Sequence, residues 1–320
     1  MFNLRRNILI FHQAALGDFV VTFPLALAMG RMFPQSRVMY VTASSKGKLA
    51  ERLLGVDSVD IETGWHVLHG PKPELNDRNR SLVTGAHTII SFVSSPNDTW
   101  EDNVRAFNPQ ATLVQLTTKP EDDRTQDHIA SALVRQLNRW PAISSAAGQM
   151  LSSIQNRGLT VKRNPTDVII HPGAGKPEKC WPVEKFVKLV ESLHRHETPV
   201  RILLGEAELE KFSPDALAAI EKAATVRKPA SYLDLLDEIS QATVFVGNDS
   251  GPGHIAGAIG VPTVSLFGSP SYRWKPLGPK VHVIEKESLS KISVDEVARA
   301  TREHTSTPVE TATVADDEED

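Results

Sequence analysis

Three stretches of the chain set charged and hydroxyl side chains beside glycine. Residues 12–29, HQAALGDFVVTFPLALAM, place Asp18 after Gly17, where an apolar strand gives way to a helix. A carboxylate there faces the carboxyl edge of a parallel sheet, where open α/β folds bind ligands. Apolar neighbours would tune it as a general base; the plainer reading is a first-turn acid favoured by the helix dipole. Residues 168–186, VIIHPGAGKPEKCWPVEKF, empty a strand into a loop bearing Lys176 and Lys179, then a helix opening near Pro182. Backbone N–H groups at a helix start beside a lysine suit a phosphate; lysines on a solvated loop are the alternative. The loop is not a Walker A motif, because only Ala174 separates Gly173 from Gly175 and Pro177 follows Lys176.

The third stretch, residues 244–270, reads VFVGNDSGPGHIAGAIGVPTVSLFGSP. N–H groups around Ser250, Gly251 and Gly253 suit an anion, whereas Asp249 suits a neutral partner such as sugar hydroxyls. Together they point to a sugar carrying phosphates. Helix-on-sheet packing accounts for Gly257 and Gly260, but not for Asn248, Asp249, Ser250 and His254 at the mouth. Other features are weaker. His171 and His254 lack metal-ligand spacing, and Cys180 has no partner pattern for a nucleophile. Glu206 and Glu208, after a strand end, are placed either to meet a ribose or to start a helix. Lys46, Lys48 and Arg52 read as a solvated face.

These residues need sheets to position them. Near-continuous apolar runs at 7–12, 37–42, 87–93, 112–116, 167–172, 199–205, 243–248 and 262–268 predict parallel strands covered on both faces. Helical patterns lie between them, with Ser231/Asp234 and Ser293/Glu296 as capping pairs. The alternation predicts an α/β fold of two Rossmann-like domains across a cleft, joined by a polar linker at about 150–167. Residues 306–320 lack apolar periodicity and predict a disordered acidic tail.

The 320 residues suffice for two such domains. The net charge is −4, but the last five residues carry five of the 39 acidic side chains, so the remaining body is near neutral. No nucleic-acid footprint follows from that balance. A single cysteine excludes an intrachain disulfide. The absence of a signal pattern or spanning segment predicts a cytoplasmic protein with at most peripheral membrane contact.

The order of the three motifs resembles the bacterial heptosyltransferases of lipopolysaccharide-core synthesis, glycosyltransferase family 9, over about residues 5–303. The Gly17-Asp18 pair, Lys179-Cys180-Trp181-Pro182 and the run from Asp249 to His254 carry the likeness. It implies a GT-B fold, with residues 1–160 binding acceptor, 161–305 binding donor, and the last helix crossing back to the first domain. It also implies inverting, metal-independent transfer of heptose from ADP-heptose to a lipid A–Kdo-type glycolipid, without a cofactor. In that likeness Asp18 is the general base, with Gly17 beside it on the acceptor side. Lys179 contacts the donor diphosphate, and Asp249 holds the donor sugar. Ser250, Gly251 and His254 form the phosphate-side turn, while Glu208, or else Glu206, meets the ribose. The chain departs from the pattern at Val21, where some members carry His. It departs again at Gly173 and Ala174, where some carry hydroxyl residues, so backbone amides serve there. Lys46, Lys48 and Arg52 do not match the family's basic acceptor positions. A different nucleotide sugar, a protein acceptor, or binding without catalysis are the competing readings.

Overall fold

Apolar, β-branched runs alternating with amphipathic helices build two parallel sheets, seen in a computed structural model that describes residues 6–119, 127–268 and 272–305. The first half runs β1 (Asn7–Phe11), α1 (Leu16–Val20), α2 (Phe23–Met32), β2 (Arg37–Thr42), α3 (Ser44–Leu54) and β3 (Asp57–Asp60). It continues through α4 (Asp77–Thr84), β4 (Ala86–Ser91), α5 (Thr99–Phe107), β5 (Thr112–Gln115), α6 (Ile129–Gln136) and α7 (Pro141–Arg157). The second half runs β6 (Asp167–His171), α8 (Val183–His194), β7 (Val200–Leu203), α9 (Glu206–Lys211), α10 (Pro214–Ala223) and β8 (Thr225–Arg227). Then follow α11 (Tyr232–Ile239), β9 (Ala242–Asn248), α12 (Gly251–Ala258), β10 (Thr263–Phe267), β11 (Val281–Glu285) and α13 (Val294–Thr305).

The sheet orders are β3-β2-β1-β4-β5 and β11-β10-β9-β6-β7-β8, with every pairing parallel. Strand order reverses between β1 and β4 and again between β6 and β9. Those are the switch points where loops diverge and leave a crevice. The loops after β1, β6 and β9 hold the three polar motifs.

All eight sequence-predicted strands are present. The three not predicted, β3, β8 and β11, are edge or near-edge strands with partly exposed, polar sequences such as DSVD and TVR. The stretch after Asp18 forms two helices. The break falls at Thr22, whose hydroxyl donates to the Phe19 carbonyl and pairs with Tyr40 Oη at 2.8 Å. Ser231 and Ser293 cap as the sequence suggests, and Pro182 immediately precedes α8.

Two expectations are corrected. The linker does not begin at 150: Ile143, Ala147, Leu151 and Ile154 keep one apolar stripe of α7 buried until Gly158, at φ +72°, ends the helix. The remaining 158–166 connector is fastened down. Leu159 N–H donates to Ala258 O at 2.7 Å, and Arg163 donates to Gly260 O at 3.0 Å and Ala242 O at 2.7 Å. The last helix does not cross back either. Within the described residues α13 lies on α8, β9 and β10, with Val297, Ala298 and Ala300 in the outer core of the second sheet. The acidic tail lies outside the described residues, as do Ser269 and Pro270.

Three apolar clusters hold the molecule. Two cover the outer faces of the sheets, around Trp100 in the first half and Trp181 in the second. The third joins the halves, running from Ile8, Phe19 and Tyr40 to Ile169, Phe245 and Ile255. No helix among the described residues is long and apolar enough to cross a membrane.

Close packing of α12 is directly testable. A Cβ on Gly257 would stand 2.7 Å from the Leu277 carbonyl oxygen, whereas one on Gly253 would meet nothing nearer than 3.7 Å. Gly257→Ala is therefore expected to cost about 1–3 kcal/mol in urea unfolding through overpacking. Gly253→Ala is expected to be neutral or stabilising through helix propensity.

Candidate active site

The site begins with a buried amide. Asn248, at the end of β9 and fully buried, accepts from Trp181 N–H at 2.9 Å and donates to the carbonyls of Pro172 at 2.7 Å and Gly173 at 3.3 Å. Trp181 is itself anchored through its indole N–H to Ile292 O at 3.2 Å. The loop after β6 is thus laid across the end of β9. Lys179 Nζ reaches Asp249 Oδ2 at 2.5 Å, with the lysine 47% exposed and the acid 13%. The lysine can therefore swing toward a ligand while the acid stays in place.

Asp18, in the first turn of α1, lies within the electrostatic reach of Lys179. Burial pushes its carboxyl above the ordinary carboxylate value. Hydrogen bonds from the Thr118 hydroxyl and Ala15 N–H, and the charges of Lys46 and Lys179, oppose that push. Lys46, read from sequence as solvated, is half-buried at the start of α3 and donates to the Ala14 carbonyl in the loop leading to Asp18. Burial lowers its pKa, and Asp18 pulls it back up. Lys48 and Arg52 are exposed, as expected.

A cavity of about 780 Å³ opens beside these groups, lined by His171, Glu208, Tyr232 and Ser250 of the second half and by Leu16 and Ser45 of the first. Glu208 is 6% exposed; its carboxylate caps Gly205 N–H at 2.8 Å and meets His171 Nε2 at 3.5 Å. Burial raises the Glu208 pKa, but the His171 contact and the Gly205 N–H outweigh it, and the net direction is down. Glu206 is exposed on the rim. Gly173 lies flat on Glu208, where a Cβ would overlap the carboxylate, and Ala174 is buried on the cavity wall. Ser250 precedes α12 without capping it, its hydroxyl 3.4 Å from His171 Nδ1.

Two of the site glycines also pack the halves together. A Cβ on Gly251 would stand 2.7 Å from Leu16 Cβ, and one on Gly17 would stand 3.0 Å from His254 Cδ2. They bring α1 and α12 to backbone contact. His254, expected on the phosphate side, is 2% exposed beneath α12 and faces Gly17. Sequence reasoning passed over Thr118 and His12, took Lys46 for a solvated side chain, and set Asn248 at the mouth without its clamping role. Asn248 alone had a local signal, as a polar residue closing an apolar strand. Among the described residues, no group of three or more His, Cys, Asp or Glu side chains is placed to hold a metal.

The buried imidazoles predict acid sensitivity. Burial, together with Lys46, drives the His12 pKa to about 3, and burial drives that of His254 to about 4, against 6.5 in a free chain. Between 6.5 and those values the unfolded state binds more protons, so stability falls as pH drops through that window. His12 lies among Phe19 and Phe92, with neither ring nitrogen hydrogen-bonded. Urea midpoints between pH 8 and 4 are expected to fall less for His12→Phe than for wild type; equal falls would exonerate His12.

A family model, glycosyltransferase family 9 (heptosyltransferase), matches residues 136–302. Lipopolysaccharide heptosyltransferase 3 of Escherichia coli is 34% identical over 119 residues, covering 34% of this chain and 33% of that protein. The chain thus aligns with about a third of that relative's length. Among solved structures, a family 9 glycosyl transferase from Veillonella parvula superposes with a TM-score of 0.70 at 18% identity, covering 95% of this chain and 98% of that one. The E. coli ADP-heptose lps heptosyltransferase II gives 0.68 at 18% identity, covering 93% and 98%. The fold is that of these GT-B enzymes, and the chain belongs to glycosyltransferase family 9, the heptosyltransferase family.

Proposed function

We propose that this chain transfers a heptose, with inversion and without a metal, from ADP-heptose to a lipopolysaccharide inner-core acceptor such as lipid A–Kdo. The observation that carries the reading is that Lys179, paired with Asp249 in the second half, acts electrostatically on the buried Asp18 of the first half. Residues 1–160 would bind acceptor and 161–305 donor, on the cytoplasmic face of the membrane where a glycolipid acceptor is presented.

In a single displacement the acceptor hydroxyl oxygen attacks the anomeric carbon as its bond to the diphosphate oxygen breaks, and Asp18 takes the hydroxyl proton. A carboxylate raised above its ordinary value by burial is a stronger base than a solvated one. Negative charge grows on the leaving ADP, where Lys179 and the N–H groups at the start of α12 stabilise it. Asp249 holds sugar hydroxyls. The nucleoside occupies the cavity, with Glu208 or the exposed Glu206 meeting the ribose. Gly173 and Ala174 offer only backbone N–H groups, which suits a diphosphate but leaves the sugar to be identified by its hydroxyls. A different nucleotide sugar is accordingly the second reading.

Calorimetry with ADP-heptose beside ADP-glucose and UDP-sugars, with and without EDTA, tests the donor. Selective, EDTA-insensitive binding of ADP-heptose, followed by transfer to a Kdo–lipid A acceptor, is expected. Tighter binding of another nucleotide sugar would replace the donor, and binding without turnover would leave a non-catalytic protein. Lys179→Ala is expected to raise the donor KM and lower kcat together, because charge on the diphosphate grows toward the transition state.

Asp18→Asn is expected to lower kcat by about 10²- to 10⁴-fold while raising stability near pH 8. Because its folded pKa lies above the free value of 3.8, wild-type Asp18 loses stability as pH rises through that interval. The variant lacks this loss, so the two should converge in urea unfolding near pH 3.8. Near-wild-type turnover would remove Asp18 as the base.

A further inference from the structure

Leu16, Gly17 and Asp18 are consecutive in α1, and each meets a different part of the site. Leu16 forms cavity wall on one side and lies against Gly251 on the other. Gly17 carries the His254 ring. Asp18 holds its place through Thr118 and Ala15. With five residues and no side-chain cap, α1 is held by packing more than by its own hydrogen bonds.

We propose that Leu16 is a positioning residue that couples the cavity to Asp18: a nucleoside packed on the Leu16 side chain shifts α1 against α12 and thereby sets where the Asp18 carboxylate sits. This rests on the cavity being the donor site. Leu16 is 9% exposed and already touches the Gly251 backbone, so a ligand against its free side has no soft neighbour to compress. The groups facing Asp18 are Lys46 of α3, Lys179 of the loop after β6, the Thr118 hydroxyl after β5 and the Ala15 N–H. Displacing α1 changes its distance to each. Coupling of this kind would make the base ready when donor is bound, so the acceptor is deprotonated only where a leaving group waits.

The test uses the full chain labelled at aspartate carboxyl carbons, with the Asp18 signal assigned by its loss in Asp18→Asn. Adenosine is the probe, because it fills a nucleoside cavity without adding phosphate charge; ADP checks binding. In wild type, adenosine is expected to move the Asp18 titration midpoint. In Leu16→Ala the midpoint shift should fall by half or more, and kcat should drop about 10- to 10²-fold, the scale of a small misplacement of a reacting group. ADP affinity should fall less than kcat. Gly251→Ala, whose Cβ would stand 2.7 Å from Leu16 Cβ, should move the midpoint without ligand, and Leu16→Gly/Gly251→Ala, which removes the side chain that this Cβ would strike, should return it toward wild type. Equal adenosine shifts in wild type and Leu16→Ala would overturn the coupling alone, as would a wild-type midpoint in Gly251→Ala. Failure of both adenosine and ADP to bind would overturn the donor reading and the coupling with it.

Discussion

The Asn248 side chain is the interaction on which the charged half of the site depends. A buried amide can offer two donors and one acceptor oxygen, and here both ends are used on one loop. Removing it would leave Trp181 N–H and the Pro172 and Gly173 carbonyls to find other partners, each at the cost of a buried polar group unmet. The loop would then lose its register over β9, and Lys179 would lose Asp249. A side chain that touches no reacting atom thus decides whether an exposed lysine and a shielded acid stand together.

Placement at the switch points explains why the charges are partly dry. Strands β6 and β9 pair within one sheet and β1 is central in the other, and α1 packs on α12, so the motif after β1 is covered by a helix of the other half. Asp18 is desolvated, while Lys46 of the first half and Lys179 of the second both supply positive potential. Glu208 shows the opposite balance, since its hydrogen bonds exceed its burial. Two buried carboxylates are therefore pushed apart in acidity, Asp18 upward and Glu208 downward.

Much of this was legible in the sequence where the signal is local. Central strands are continuous apolar runs, and Asp18 follows a glycine, Asp249 follows the last residue of β9 and Lys179 lies in the glycine-bearing loop after β6, so their positions at the sheet edges could be read. Edge strands such as Thr225–Arg227 carry too little apolar pattern to be seen. The helical end of α7 was hidden because a stripe of one residue per turn looks polar when read linearly. Contacts between distant segments left no trace: Leu16 against Gly251 requires the two halves to be assembled, and Lys46 reaching the Ala14 carbonyl requires β1 and β2 to be paired. His254 looked like a ligand-facing group because its neighbours are polar, yet its helix turns it inward onto Gly17.

The fastened connector has a mechanical consequence. Arg163 and Leu159 bind residues 158–166 to the backbone of β9 and α12, and the shared apolar cluster continues beneath them. The segment is therefore a strap rather than a tether. Any opening of the cleft must pivot about it with the cluster as fulcrum, which favours small rocking rotations over wide excursions. A chain severed there would yield two halves, each with an uncovered greasy face, rather than two modules able to stand alone.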